Sequence, residues 1–208
     1  MQTFKTYLKT VKQEAVNSDK PLRLVMGNTS CDMDSVVGAL GLAYFYSLRS
    51  GDQWIPVVNC KKEEFHYNAE IFLHVVTNCG IAMEDILFWD ELIALKRTYH
   101  EIALIDHNLI DGGNMKDLGD DAGSKVTHII DHHFDNKAYP ESQLKESVIK
   151  FIGSACSIAV LQMKERAEVF SDDHWTPDTR NFAYFLAAAI SLDTYNFKEQ
   201  LRGTKWQE

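Results

Sequence analysis

The chain has 208 residues, is 45% hydrophobic and 25% charged, and carries a formal net charge of −9. That length buries a sizeable core, and that composition excludes a disordered or fibrous chain. No run of Lys or Arg exceeds two residues, which excludes the basic footprint of a long nucleic-acid binder, and no apolar stretch reaches membrane length.

Residues 3–17 place Phe4, Tyr7, Leu8, Val11 and Ala15 on one face, the period of an amphipathic helix. Pro21 stops it, and residues 22–26 read as a short buried strand. Asp34 or Ser35 is expected to cap the next helix, which runs to about Leu48 and packs closely through Gly38, Ala39, Gly41 and Ala43. A strand over 54–58, a helix over 68–76, a short strand over 86–88 and a helix over 91–98 follow. The clearest later strands are 101–105 and 126–130, separated by a loop-like stretch, 111–123, with room for a helical turn. Beyond them the pattern predicts a loop over 136–141 and a strand over 146–151. A helix then opens at Gly153-Ser154-Ala155-Cys156-Ser157 and runs to about Glu168, and Thr176-Pro177-Asp178 begins a last helix over 181–191. Strands alternating with helices predict an α/β fold, a mostly parallel sheet with helices on both faces. No internal repeat or long linker divides residues 1–208, so a single domain is expected.

The four cysteines show no Cys-x-x-Cys spacing and fit a reducing compartment. The start Met-Gln-Thr-Phe-Lys lacks a signal-peptide core, and a cytoplasmic location is expected.

Four acidic patches sit where apolar runs end: Asp32-Met33-Asp34, Asp106-His107-Asn108, Asp131-His132-His133 and Asp193. A lone Asp in such a place is ordinarily a helix cap or turn residue. Four in one chain, two of them carrying His, predict a shared site in the crevice where open α/β sheets bind ligands. In an extended loop end, the carboxylates of Asp32 and Asp34 would diverge towards two neighbouring ions. Oxygen-rich ligands with a few imidazoles suit two divalent cations, Mg²⁺ or Mn²⁺, better than zinc. Two such ions serve phosphoryl chemistry, and Asp106 is the natural carboxylate to bridge them. One imidazole of the His132-His133 pair would bind metal while the other donates to phosphate. The helix start at Gly153 and Ser154 offers N–H groups to a phosphate, although a plain N-cap explains that spacing equally well. His66, His74, His100, His128 and His174 lack acidic or glycine partners in a comparable frame and read as structural or solvated.

At these residues the chain resembles the DHH phosphoesterase superfamily, named for the triplet present here as Asp131-His132-His133. The order Asp-x-Asp, isolated Asp, Asp-His-His, glycine-serine helix start and final Asp covers nearly the whole chain. Asn28 in Gly27-Asn28-Thr29-Ser30-Cys31-Asp32 stands where family II pyrophosphatases carry a metal-binding His. That form, with His107 after Asp106, is similar to the exopolyphosphatase and prune branch; His133 places it nearer the exopolyphosphatase. The resemblance implies one metal among Asn28, Asp32 and Asp106, and another among Asp34, Asp106, His132 and Asp193. It implies phosphate contact by His133, with His107 beside the site, and a preference shifted towards Mg²⁺ because Asn offers only a neutral carbonyl oxygen. It also implies a DHH-associated second domain after the final Asp, which is expected to be absent because the chain stops at Gly203-Thr204-Lys205-Trp206-Gln207-Glu208. The expected substrate is inorganic polyphosphate or another small phosphoanhydride, with Asp106, His107 and His133 catalytic. A prune-like scaffold with protein partners, and a phosphodiesterase for cyclic or short nucleotides, are the alternatives left open.

Overall fold

The structure, a computed structural model, describes residues 2–166 and 176–198. Its frame is one six-stranded sheet in the order β3-β2-β1-β4-β5-β6, every neighbouring pair parallel. The strands are β1 (Leu22–Met26), β2 (Trp54–Val58), β3 (Leu87–Phe88), β4 (Tyr99–Ile105), β5 (Val126–Asp131) and β6 (Glu146–Ile149). All five residues of β2 and the last five of β4 are buried, as strands covered on both faces require.

The chain lays down β1, β2 and β3 towards one edge, then returns to β1's other side for β4, β5 and β6. The loops leaving β1 and β4 therefore part in opposite directions and open a crevice at the carboxyl ends of the central strands.

Helices α1 (Phe4–Asn17) and α2 (Met33–Ser50) follow their expected spans closely. The cap of α2 is Asp32, whose carboxylate accepts the Ser35 N–H at 3.0 Å, so the expected cap at Asp34 or Ser35 is corrected. Asp32 and Asp34 thus sit on a helix start rather than an extended loop. Gly27 is needed just before it, because a Cβ there would come within 2.6 Å of the Ser35 carbonyl oxygen.

Two helical expectations shift. Residues 68–76 begin as α3 (Ala69–Phe72) but widen into a π-helical stretch, Leu73–Asn78. The helix expected over 91–98 is α4 (Trp89–Ala94), started early because the Glu91 carboxylate reaches back to the Phe88 N–H. In the stretch read as loop, Asp111 caps α5 (Gly112–Leu118). Helix α6 (Ala155–Arg166) and α7 (Pro177–Asp193) complete the set, α7 carrying its periodicity through the final acid. Helix α2 packs on β1, β2 and β4 and against α6 and α7. Among the described residues no helix is long and apolar enough to cross a membrane.

Candidate active site

Four elements deliver the five acids of the crevice. Asp32 and Asp34 come from the start of α2, Asp106 from the residue after β4, Asp131 from the end of β5 and Asp193 from the end of α7. Asp106 has a left-handed backbone (φ 64°), and its N–H donates to the Ile130 carbonyl at 2.9 Å. Such a conformation persists only where its surroundings hold it, and here it turns the side chain into the crevice.

His132 is the meeting point. Its Nδ1 binds the Ile152 carbonyl at 2.9 Å, and its Nε2 lies 3.0 Å from Asp106 Oδ1 and 3.8 Å from Asp34 Oδ2. An imidazole anchored through one nitrogen to a backbone carbonyl, with the other aimed at carboxylates, has the arrangement of a metal-binding His. Among the described residues two ligand groups form, Asp106 with His132 and His133, and Asp34 with His132 and Asp193. Within each group the candidate ligand atoms lie within 4.8 Å of one another. His132 belongs to both groups, whereas Asp106, the expected bridge, belongs to one.

The charges are not balanced from within. Burial pushes the Asp106 carboxyl up to about 6, and the neighbouring Asp34 and Asp32 add to this against the His132 hydrogen bond. Asp193 is raised to about 8 by burial and then by Asp34. For His132, burial pulls downward, but its bonds to Asp106 and to the Ile152 carbonyl prevail and hold it at about 9. Among the described residues Asp34 and Asp106 pair with His132, Asp106 also lies near His133, and no Lys or Arg joins them. Buried acids short of cations, with an oriented imidazole among them, fit divalent metal ions.

Asn28 holds Asp106 rather than facing it with oxygen. Its Nδ2 donates to the Asp106 carbonyl at 3.0 Å and to Asp106 Oδ2 at 2.9 Å, while its Oδ1 accepts the Ser30 N–H. Binding a cation there requires the carboxamide to turn over. Asp32 is exposed and accepts from the Ser30 hydroxyl at 2.9 Å.

The start of α6, expected to offer its N–H groups to phosphate, offers them to Asp34. The Ser154 hydroxyl (2.7 Å) and the Cys156 N–H (3.0 Å) reach Asp34 Oδ1, and the Ala155 N–H reaches Oδ2. The anion at that positive helix end is the protein's own carboxylate, so Ser154, Ala155 and Cys156 place a candidate metal ligand, while a Cβ on Gly153 would come within 2.4 Å of the Thr194 methyl.

His133 is the exposed member of its pair. Its Nδ1 lies 2.8 Å from Asp131 Oδ1, a bond that orients the ring and raises its pKa. His107 binds the Ile105 carbonyl at 2.9 Å, and burial lowers its pKa. Both line a cleft of about 430 Å³ with Asn28, Asp106, Asn108 and Asp131.

Sequence reasoning missed two supports. Ser35 donates to Asp106 Oδ2 at 2.7 Å. Asn108 donates to Asp131 Oδ2 and accepts from Asn136, fixing the acid that orients His133. The position of Asn108 directly after Asp106-His107 was the available signal. Of the other histidines, His74 is buried against Phe185, and His128 lies between the rings of Tyr46 and Trp54. His66 stacks on Tyr67 and His100 is exposed, while His174 lies outside the described residues.

The pattern of the DHH family, N-terminal domain, matches residues 23–190. Among curated proteins, Exopolyphosphatase PRUNE1 of Rattus norvegicus is 27% identical over 195 residues, covering 90% of this chain and 39% of that protein. The Homo sapiens protein of the same name is 26% identical over 191 residues, covering 88% and 38%. The chain thus spans about two fifths of the length of these relatives. Among solved structures, a putative family II inorganic pyrophosphatase of Methanococcus jannaschii superposes with a TM-score of 0.51 and 22% identity. That match covers 85% of this chain and half of the other, and it shows a shared fold.

Proposed function

The chain belongs to the DHH family, and from that premise we propose that it is a metal-dependent hydrolase of inorganic polyphosphate or short phosphoanhydrides, releasing orthophosphate. The observation that carries the proposal is the convergence of Asp34, Asp106, His132 and Asp193 from four separate elements into two overlapping ligand groups. The relatives' name, exopolyphosphatase, supports the substrate class.

In this reading Asn28, Asp32 and Asp106 hold one Mg²⁺ or Mn²⁺, and Asp34, Asp106, His132 and Asp193 hold the other. Two such ions, when bound, supply an acidified water and neutralise the attacking and leaving oxygens. The protein's own groups do the positioning. Ser35 fixes the Asp106 carboxylate, and the start of α6 fixes Asp34. His133, oriented by Asp131, presents an N–H to a phosphate oxygen. His107, whose pKa burial lowers, lies on the cleft wall, placed to accept a proton.

The test is phosphate release by the 208-residue chain with Mg²⁺ or Mn²⁺ across pyrophosphate, tripolyphosphate, long polyphosphate and cyclic AMP. Release from the anhydrides and not from the cyclic ester is expected. Hydrolysis of cyclic AMP alone would overturn the substrate class, and metal binding without any turnover would favour a prune-like scaffold.

A further inference from the structure

One short segment reaches all three members of the Asp34, His132 and Asp193 group without belonging to it. Residues 152–156 lead from β6 into α6. The Ile152 carbonyl holds His132 through its Nδ1 at 2.9 Å. The Ser154 hydroxyl and the Ala155 and Cys156 N–H groups bind the two oxygens of Asp34. Gly153 meets the residue after Asp193. A Cβ at Gly153 would lie 2.4 Å from Thr194 Cγ2 and 3.5 Å from Thr194 Cβ, so no side chain fits between the start of α6 and the end of α7. Gly153 is not among the glycines with a left-handed backbone, and space rather than conformation requires it. Thr194 is not free to step aside. It is buried, and its Oγ1 donates to the Ile190 carbonyl at 2.6 Å and accepts the Phe197 N–H at 3.3 Å. A β-branched side chain pinned by its hydroxyl keeps its methyl in place. Tyr195, Asn196 and Phe197 then follow with left-handed backbones (φ 50°, 56° and 60°), and the Asn196 N–H returns to the Ser191 carbonyl at 2.6 Å. The helix end bearing Asp193 is closed on itself and rests against Gly153.

We propose that residues 152–156 are the positioning element of the metal position formed by Asp34, His132 and Asp193, and that the contact of Gly153 with Thr194 sets how far Asp193 stands from Asp34. The proposal rests on the two-ion reading above. The three ligands come from the start of α2, the residue after β5 and the end of α7, so none of those elements alone fixes their separation. A segment that bonds to the first two and abuts the third makes that separation a property of one local stretch of backbone. Supports of this kind behind metal ligands are worth about 10- to 100-fold in affinity. A methyl on Gly153 pushes the end of α7 outward, and Asp193 with it, while Asp34 and His132 keep their bonds. Among the described residues Asn28 and Asp32 bond to Ser30, Ser35 and Asp106 and to nothing in 152–156. The displacement therefore acts on one ion position and spares the other.

The test is calorimetric titration of Gly153→Ala with Mn²⁺ beside the unaltered chain. Of two binding events, one is expected to weaken about 10-fold or more while the other stays near normal. Adding Thr194→Ser to that variant removes the clashing methyl and keeps the hydroxyl bonded to Ile190, so it should restore the weakened event. Two unaltered events in Gly153→Ala, equal weakening of both, or no recovery with Thr194→Ser overturns the proposal. Ser154→Ala, which removes only the hydroxyl bond to Asp34, should weaken the same single event, and it carries the test if Gly153→Ala does not fold. An unaltered chain that does not bind two Mn²⁺ ions is a failure of the two-ion reading, and metal-free unfolding then decides the contact. Gly153→Ala should lower the Tm by about 2–10 °C, and Thr194→Ser in that background should recover it. An unchanged Tm in Gly153→Ala overturns the contact.

Discussion

Strand β4 carries a buried acid near each end, and the two have opposite chemistry. At its start Glu101 meets the Arg23 guanidinium at 3.3 Å, the Lys145 ammonium at 2.8 Å and the Thr127 hydroxyl at 3.1 Å. Burial alone would raise its pKa, but those partners outweigh it and hold the carboxyl below its ordinary value. Just past the strand's end, Asp106 is surrounded by further carboxylates and by His132, and its carboxyl is pushed up to about 6. Burial is similar, 6% and 2% exposed, so the neighbours decide the sign. An acid provided with cations by its own chain is a structural element; an acid gathered with other acids in a crevice is a place for cations from outside.

Replacing Asp106 should break this contrast most severely. Asp106→Ala is expected to cut phosphate release by about 100- to 1000-fold or more and to weaken both metal-binding events together, while His107→Ala leaves metal binding largely intact. Calorimetric titration with Mn²⁺ measures this, and two near-normal events in the Asp106 variant would refute a bridging role.

The next effect is on stability, and it should differ in sign along one strand. Glu101→Gln leaves Arg23 and Lys145 without their acid and should cost about 1–3 kcal/mol in denaturant unfolding. Asp106→Asn relieves carboxylate repulsion and should stabilise the metal-free chain by about 1 kcal/mol. Destabilisation by both substitutions would contradict the comparison.

A pH titration sharpens it further. Asp193 and His132 are both raised in the folded state, to about 8 and about 9. The folded chain therefore holds protons that the unfolded chain has released, and stability falls as pH rises. His128, lowered to about 4, is neutral in both states above about pH 7.5 and adds no slope there. The metal-free Tm should drop by about 2–4 °C between about pH 7.5 and 9. Saturating Mn²⁺ should abolish or reverse the drop, because metal replaces those protons. A flat metal-free profile would show that the acids are not crowded in solution.

The smallest expected change is Asn28→His, which should tighten Mn²⁺ binding about severalfold because imidazole is the better ligand for that ion. Unaltered affinity would leave Asn28 as the hydrogen-bond donor seen here, holding Asp106.

The sequence by itself determined the α/β class, four of the six strands to within one residue, and the acids worth watching. Strand periodicity, Pro21 and the Asp-His-His triplet are local signals, written in adjacent residues. Local reading failed where a partner from far along the chain intervenes. Asp34 looked like a helix cap or a loop ligand, yet its carboxylate is engaged by the start of α6, about 120 residues later. Asn28 looked like a ligand, yet in the folded chain its nitrogen faces Asp106. The π-helical stretch at Leu73–Asn78 packs against α7, and no nearby sequence specifies it. Only the tertiary structure placed Asp193 beside Asp34. The strand order decides which loops share the crevice, and that order is settled by burying the sheet as a whole, a property no single segment contains.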